Sequence, residues 1–399
     1  MKPLHSYLLG TGSWFLAVGI QAVLFAWLVT MVLRESPEMV GVAQMTLLLP
    51  GTLLILVGGS YADRFGGRRM AVIGQTVAVA APLILLGLVA MGRLTFGAML
   101  IYALVMGCAQ AIVTPARDGL LNQVAAGRVQ RTVMLASLAQ FGMQVLGFLV
   151  ASLADRSGPG PILGFQALVL ALGAWALHRV RPGTEEPAAT TPTALLQSMR
   201  EGARTVLRHA EMRMVALVNV AISICFMGAY IVTLPLLVRE VFDGSASDLG
   251  LMNGCNAAGL VTALLLVLRF GDVAHQGRAL LLSLMFGAFV LAGVALAPNF
   301  AALLVILFFW GACGGVSMAM ARTIMQERAP EGQRGRVMGI SAFSFMGAGP
   351  IGALGSGFLV EEFGPQAALV IAGAGMACVV LVIGFRSSLW RMTSKWART

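Results

Sequence analysis

The chain has 399 residues, 58% of them hydrophobic and only 11% charged, with a mean hydropathy of +0.86. A soluble domain carries about 25% charged residues, so this chain has too little polar surface to be solvated by water, and a bilayer is the expected solvent. The net charge of +10 is spread in short clusters between apolar runs rather than gathered on one face, which excludes a nucleic-acid partner.

Lys2 is followed by an apolar run from about Leu4 to Leu33. It is too long for a signal-peptide core, and no small-residue cleavage site follows. It reads as a retained first helix. Further runs of the roughly 20 residues needed to cross a bilayer predict spans at 5–33, 39–61, 70–91, 95–116, 132–153, 159–179, 213–238, 247–269, 279–297, 300–322, 337–360 and 365–386. Pro50, Pro82 and Pro235 fall inside spans, where neighbouring helices can re-satisfy the freed backbone groups. The alternating segments of about ten residues that build a membrane barrel are missing from the sequence.

Cys108, Cys225, Cys255, Cys313 and Cys378 lie singly in apolar runs and read as small buried hydrophobes. Four histidines without ligand spacing complete the inventory. No metal and no cofactor are expected.

Residues 180–194 are rich in Pro, Thr and Glu and read as a linker. Residues 195–209 follow with Leu195, Leu196, Met199, Val206 and Leu207 among Arg200, Arg204 and Arg208, the pattern of a basic amphipathic helix at the membrane surface. The expected division is an N-terminal six-span bundle over 1–180, a cytoplasmic linker with this helix over 181–212, a C-terminal bundle over 213–386 and a tail over 387–399.

With the N-terminus in the cytoplasm and alternate loops inside, 23 of the 27 basic residues are cytoplasmic, leaving only Arg34, Arg93, Arg156 and Arg239 outside. The positive-inside rule then places both termini in the cytoplasm and requires an even number of spans. A miscounted helix would scramble the bias.

The halves echo each other. Ala116 and Arg117 recur as Ala321 and Arg322, Gly127 as Gly332 and Arg131 as Arg336, each pair 205 residues apart. Parallel repeats of this kind place a substrate site near the midplane.

The most specific motif joins the second and third spans: Gly59-Ser60-Tyr61-Ala62-Asp63-Arg64-Phe65-Gly66-Gly67-Arg68-Arg69. Gly59 allows close helix approach, and Asp63 can accept hydrogen bonds from an arginine or a helix N-terminus. Gly66 and Gly67 permit a tight reversal, and Arg68 and Arg69 hold the loop inside. A decayed copy, Gly271-Asp272 through Gly277-Arg278, occupies the equivalent loop between the eighth and ninth spans. Two further charged groups follow the fourth and tenth spans: Arg117, Asp118, Arg128 and Arg131, and Arg322, Glu327, Arg328, Arg334 and Arg336. Such charges could lock and release the ends of the bundles as elements of a switch.

The 59–69 motif resembles the cytoplasmic loop signature of the major facilitator superfamily. Leu49-Pro50-Gly51, Leu234-Pro235-Leu236, Gly244-Ser245-Ala246 and Arg334-Gly335-Arg336-Val337 extend the likeness to the efflux branch that includes enterobactin and macrolide exporters. The resemblance implies twelve helices in two pseudo-symmetric bundles, an inner-membrane location, monomeric action and export of small amphipathic molecules. It assigns gating roles to Gly59, Asp63, Arg64, Gly67, Arg68, Arg69, Arg117, Asp118, Arg131, Asp272, Arg278, Arg322, Glu327 and Arg336.

The chain departs from the antiporter pattern. The fifth-span Gly-Pro motif is reduced to Gly147-Phe148, and no carboxylate is evident at mid-membrane, where proton relays usually sit. Proton coupling therefore does not follow from these residues and stays open beside facilitated export. The cavity should be neutral and aromatic. In this family spans 1, 4, 7 and 10 line it, with 2, 5, 8 and 11 beside them, which selects Gln21, Phe25, Gln44, Gln110, Asn219, Ser223, Phe226, Tyr230, Asn253, Asn256, Ser341 and Ser344 as substrate-binding candidates. Span 5 adds Gln140 and Gln144 with Ser137 on one helical stripe. Each amide could equally tie two helices together, for about 0.6 kcal/mol.

Gly347 to Gly352 fits GxGxxG but lies in an apolar span with no strand before it. The only lysines are Lys2 and Lys395, so a Walker lysine is excluded and the chain is not expected to be an enzyme. The partners expected are a small-molecule substrate, membrane lipids and, if coupled, protons. A lysolipid or lipid flippase of the same fold and a non-transporting membrane sensor remain the alternatives.

Overall fold

The computed structural model describes residues 3–125, 129–180, 192–270, 273–330 and 333–392, apart from the side chains of 55–64, 122, 129–131, 192–198 and 270. Among the described residues every regular element is helical. The helices are α1 (Pro3–Trp27), α2 (Pro37–Phe65), α3 (Gly67–Ala90), α4 (Phe96–Val124), α5 (Val129–Ala151), the single turn α6 (Ala154–Ser157) and α7 (Pro159–His178). After them come α8 (Pro192–Arg208), α9 (Ala210–Ala221), α10 (Leu234–Phe242), α11 (Ala246–Phe270), α12 (Gln276–Val294), α13 (Phe300–Arg328), α14 (Arg334–Gly347) and α15 (Gly349–Arg386).

Ten stretches of described residues are long and apolar enough to cross a membrane. One of them, Arg334–Arg386, is 53 residues long and reverses at Gly364, whose φ of 78° suits glycine, so it supplies two crossings. The 29-residue α2 supplies another. The result is the expected all-α fold of twelve transmembrane helices in two pseudo-symmetric bundles.

Three predicted spans differ in detail: the first ends in a π turn at Leu28–Val32 beyond α1. The seventh is not a plain α-helix: α9 passes through π turns at Ile222–Met227 and Ala229–Thr233 before α10. Each π turn inserts backbone that rotates the following side chains, a device often found at functional sites. The eleventh predicted span, 337–360, breaks at Ala348 between α14 and α15. Pro350 is the cause, because it supplies no N–H and opens a new helix at its first turn.

The chain forms two compact units. Unit 1 comprises residues 1–35, 46–195 and 244–251, and unit 2 comprises 36–45, 196–243 and 252–399. In unit 1, α1 packs on α5 where Gly19 meets Gly147, and a Cβ on Gly147 would strike the Leu16 carbonyl. In unit 2, Gly228 meets Gly352, and a Cβ on Gly352 would strike the Ser223 carbonyl. Gly147 and Gly352 are 205 residues apart, so the offset of the sequence repeat reappears in the packing. Backbones approach this closely only through small residues. The N-caps repeat as well. Thr95 Oγ1 accepts from the Ala98 amide at 3.3 Å to start α4, and Asn299 Oδ1 accepts from the Ala302 amide at 2.9 Å to start α13.

α8 is docked rather than free. Val206 is buried, Thr205 Oγ1 donates to Gln333 Oε1 at 2.7 Å, and Glu201 pairs with Arg336 of α14. The preceding linker, 181–191, lies outside the described residues.

Candidate functional site

The strongest cluster of candidate residues lies in unit 2. Tyr230, carried by the second π turn, donates its hydroxyl to Asn253 Oδ1 of α11 at 2.6 Å. Phe226, four residues earlier, meets Trp310 of α13 edge to face at 5.6 Å, and the Tyr230 ring lies 5.8 Å from the same indole. Three candidates and Trp310, carried by the two π turns, α11 and α13, thus make a neutral, aromatic patch with one partly buried polar pair. Aromatic pairs of this geometry add about 0.5–1.5 kcal/mol beyond burial. Phe226, Tyr230 and Asn253 were expected from the sequence. Trp310 was not, because an indole in an apolar run carries no polarity signal.

Other expected lining residues serve as ties. Asn219 Nδ2 donates to Ser341 Oγ at 3.2 Å, joining α9 to α14. Asn256 Nδ2 donates to the Leu307 carbonyl at 3.3 Å, joining α11 to α13. Ser344 bonds back to the Ile340 carbonyl at 2.8 Å, and Ser223 is buried on the first π turn with its hydroxyl 4.0 Å from Met227 Sδ.

In unit 1, Phe25 stacks on Tyr102 at 5.8 Å. Tyr102 and Gln166 bond each other at 2.9–3.2 Å, and Gln166 also donates to the Ala17 carbonyl at 3.1 Å. This knot joins α1, α4 and α7. Neither Tyr102 nor Gln166 was expected: Gln166 is on α7, the sixth span, outside the eight presumed to line the cavity, and Tyr102, although on the fourth span, was not singled out. Gln21 is buried, and its Oε1 has no hydrogen-bond partner among the described residues. Gln110, Gln140 and Gln144 are half-buried, and Gln44 is buried at the start of α2 in unit 2.

The expected gating residues do not gather into one cluster. The side chains of Gly59, Asp63, Arg64 and Arg131, and all of Asp272, lie outside the described residues. Gly67 packs against the Ala116 carbonyl. Arg68 donates to the carbonyls of Val180 and His178 at 3.1 and 3.4 Å, while Arg69 is exposed. Arg117 is buried, with its guanidinium 4.5 Å above the Phe15 ring and 3.5 Å from Asp118. Glu327 accepts from Gln276 at 2.8 Å, and Arg278 donates to the Trp390 carbonyl at 3.0 Å. Arg336 pairs with Glu201, Arg328 lies 2.9 Å from Glu211, and Arg322 is exposed. Glu327, Arg328 and Arg336 therefore each engage a different element: α12, α9 and α8. Exposed pairs of this kind are worth about 0–1 kcal/mol.

Sequence reasoning also passed over Asp155. It sits in α6, beyond the end of α5, and clasps the first turn of α11 within unit 1. Its carboxylate accepts from the Ala246 and Ser247 amides at 2.9 and 2.7 Å and from the Ser247 hydroxyl at 2.8 Å. Burial opposes the charge on this carboxyl. The bonds from the Ser247 and Ala246 amides and the Ser247 and Ser245 hydroxyls outweigh it and hold the group below the usual carboxylate range. A negative charge at a helix N-terminus is favourable in itself.

No group of three or more acidic, His or Cys side chains that could hold a metal occurs among the described residues.

The comparisons with known proteins agree with this architecture. The Multidrug efflux pump Tap of Mycobacterium tuberculosis is 25% identical over 391 residues, covering 91% of this chain and 88% of that one. The nucleoside transporter NupG shares the fold at a TM-score of 0.76 and 13% identity, covering 96% of this chain and 98% of that one. An auto-inhibited POT family peptide transporter does so at 0.78 and 13%, covering 99% and 98%. The family model described as transmembrane secretion effector matches residues 6–397, and the chain belongs to this family of major facilitator transporters.

Proposed function

We propose that the protein exports small amphipathic organic molecules, drug- or siderophore-like, from the cytoplasm across the bacterial inner membrane by alternating access. The observation that carries this reading is the Phe226, Tyr230 and Trp310 patch with its Asn253 partner. Phe226, Trp310 and Asn253 are buried and Tyr230 half-buried, so cargo reaches the patch only when the packing around it opens; its apolar rings and neutral hydrogen-bonding pair then suit an aromatic or amphipathic cargo better than a small ion. The likeness to a multidrug efflux pump over 91% of the chain supports the same direction and cargo class.

Both termini then lie in the cytoplasm, and the basic ends of α3, α4 and α13 face inward. The grip of Asp155 on the start of α11, within unit 1, is at the opposite end. The π turns that carry Phe226 and Tyr230 supply local freedom where the cargo is held. The expected division into bundles over 1–180 and 213–386, a linker over 181–212 and a tail over 387–399 belongs to the same reading.

The test is retention of a fluorescent amphipathic dye by cells that express the full chain or lack it. Expression should lower dye retention several-fold, and the Tyr230→Ala,Trp310→Ala double variant should restore it. Equal retention with and without the protein, for every member of a panel of planar cationic, neutral and anionic dyes, would refute export.

A further inference from the structure

A groove of about 520 Å³ runs along unit 1 between α3 and α7, and none of the residues of the aromatic patch lines it. Val72, Thr76 and Leu83 line one wall and Ala171, Trp175 and His178 the other. The spacings put each set on one helical face. Thr76, Leu83, Ala171 and Trp175 are exposed, so the groove opens sideways to the bilayer rather than into the bundle. From Val72 to Leu83 the wall rises about 16 Å at 1.5 Å per residue. One leaflet of hydrocarbon is about 15 Å deep, half of a core of about 30 Å.

The groove has one basic end. His178 stands at it, and the Arg179 guanidinium stacks 3.8 Å from the Trp175 ring centroid. Arg68, one turn before Val72, is held there by its bonds to the His178 and Val180 carbonyls. A cation–π stack occupies the face of a guanidinium, whereas its N–H donors point outward in the plane. The arrangement therefore offers fixed donors for a phosphate directly above an apolar slot one leaflet deep.

We propose that this groove binds one anionic glycerophospholipid, with an acyl chain between α3 and α7 and its phosphate on Arg179 and Arg68. Basic residues at the interfacial end of a groove between membrane helices select anionic headgroups, and guanidinium pairs with phosphate more strongly than a neutral donor does. The bound lipid would brace α3 against α7, the two helices that Gln75 already joins by donating to the Leu170 carbonyl at 3.3 Å. The site is independent of cargo export, and its test requires no transport.

Native mass spectrometry of the full chain in detergent, with added palmitoyl-oleoyl phosphatidylglycerol or phosphatidylcholine, reads lipid retention directly. One phosphatidylglycerol should be retained about ten-fold better than phosphatidylcholine. Ala171→Phe, which fills the slot, should remove retention of both. Arg179→Gln should keep a lipid but equalise the two headgroups. Thr76→Phe fills the slot from the other helix and serves should Ala171→Phe not yield folded protein. Equal retention of both lipids by the unaltered protein, or undiminished phosphatidylglycerol retention with the slot filled, would overturn the proposal.

Discussion

Tyr230 donates its hydroxyl to Asn253 at 2.6 Å, linking a π turn of the seventh span to α11 beside the Trp310 indole. Tyr230→Phe keeps the ring and removes only the hydroxyl. A net hydrogen bond is worth about 1 kcal/mol, so apparent affinity for a hydrogen-bonding cargo should fall about five-fold, with little change for a purely apolar one. Dye transport kinetics over a concentration series check this. Trp310→Ala should cost more, because it removes the ring that both Phe226 and Tyr230 contact.

Gly147 and Gly19 bring α1 and α5 into backbone contact. Gly147→Leu must push the helices apart, and overpacking of this kind costs about 1–3 kcal/mol. The same change at Gly352 should cost a similar amount, since it meets Gly228 in the same way. Thermal unfolding in detergent should show both losses, whereas Gly142→Leu, with open space around it, should be nearly neutral.

Asp155 holds the Ala246 and Ser247 amides. Its lowered pKa fixes the sign of the pH effect. The grip is complete above the ordinary carboxylate range and is lost as pH falls through the depressed value. Hydrogen exchange at these two amides, corrected for intrinsic rates, should therefore be slow and constant near neutral pH and should accelerate only in acid. Asp155→Asn should accelerate it about ten-fold at pH 7 and remove that acid dependence.

Arg117 stacks on Phe15 while its charge is buried. Arg117→Lys retains charge but loses the planar stack, so the two side chains are not interchangeable there. Transport should slow several-fold with insertion unchanged, as measured by flux per molecule of membrane-inserted protein. Asp63→Asn, in the loop motif, should act in the same direction if that carboxylate has its proposed gating role.

Much of the fold could be read from hydropathy, because a bilayer demands long apolar helices and tolerates little else. The separation of the last two spans was legible for the same reason, and the repeat offset of 205 from the matched loop residues Ala116, Arg117, Gly127 and Arg131. The break at Ala348 was not, since a proline inside a membrane span can be accommodated or can start a new helix, and packing decides. For the site, polarity within spans found Tyr230 and Asn253 but was blind to Trp310. It also could not say that Asn219 and Asn256 would turn to neighbouring helices. Asp155 carried no signal in the sequence, because the helix start that it holds lies 91 residues further along the chain.

The central claim is outward movement of amphipathic cargo, and flux in everted membrane vesicles tests it most directly. With the full chain present, vesicles should accumulate a planar amphipathic dye several-fold over vesicles without it, and Trp310→Ala should abolish the difference. Comparing vesicles with and without an imposed pH gradient then separates proton-driven from facilitated export. Dye uptake that is the same with and without the protein, under either condition and across the panel, would contradict the account.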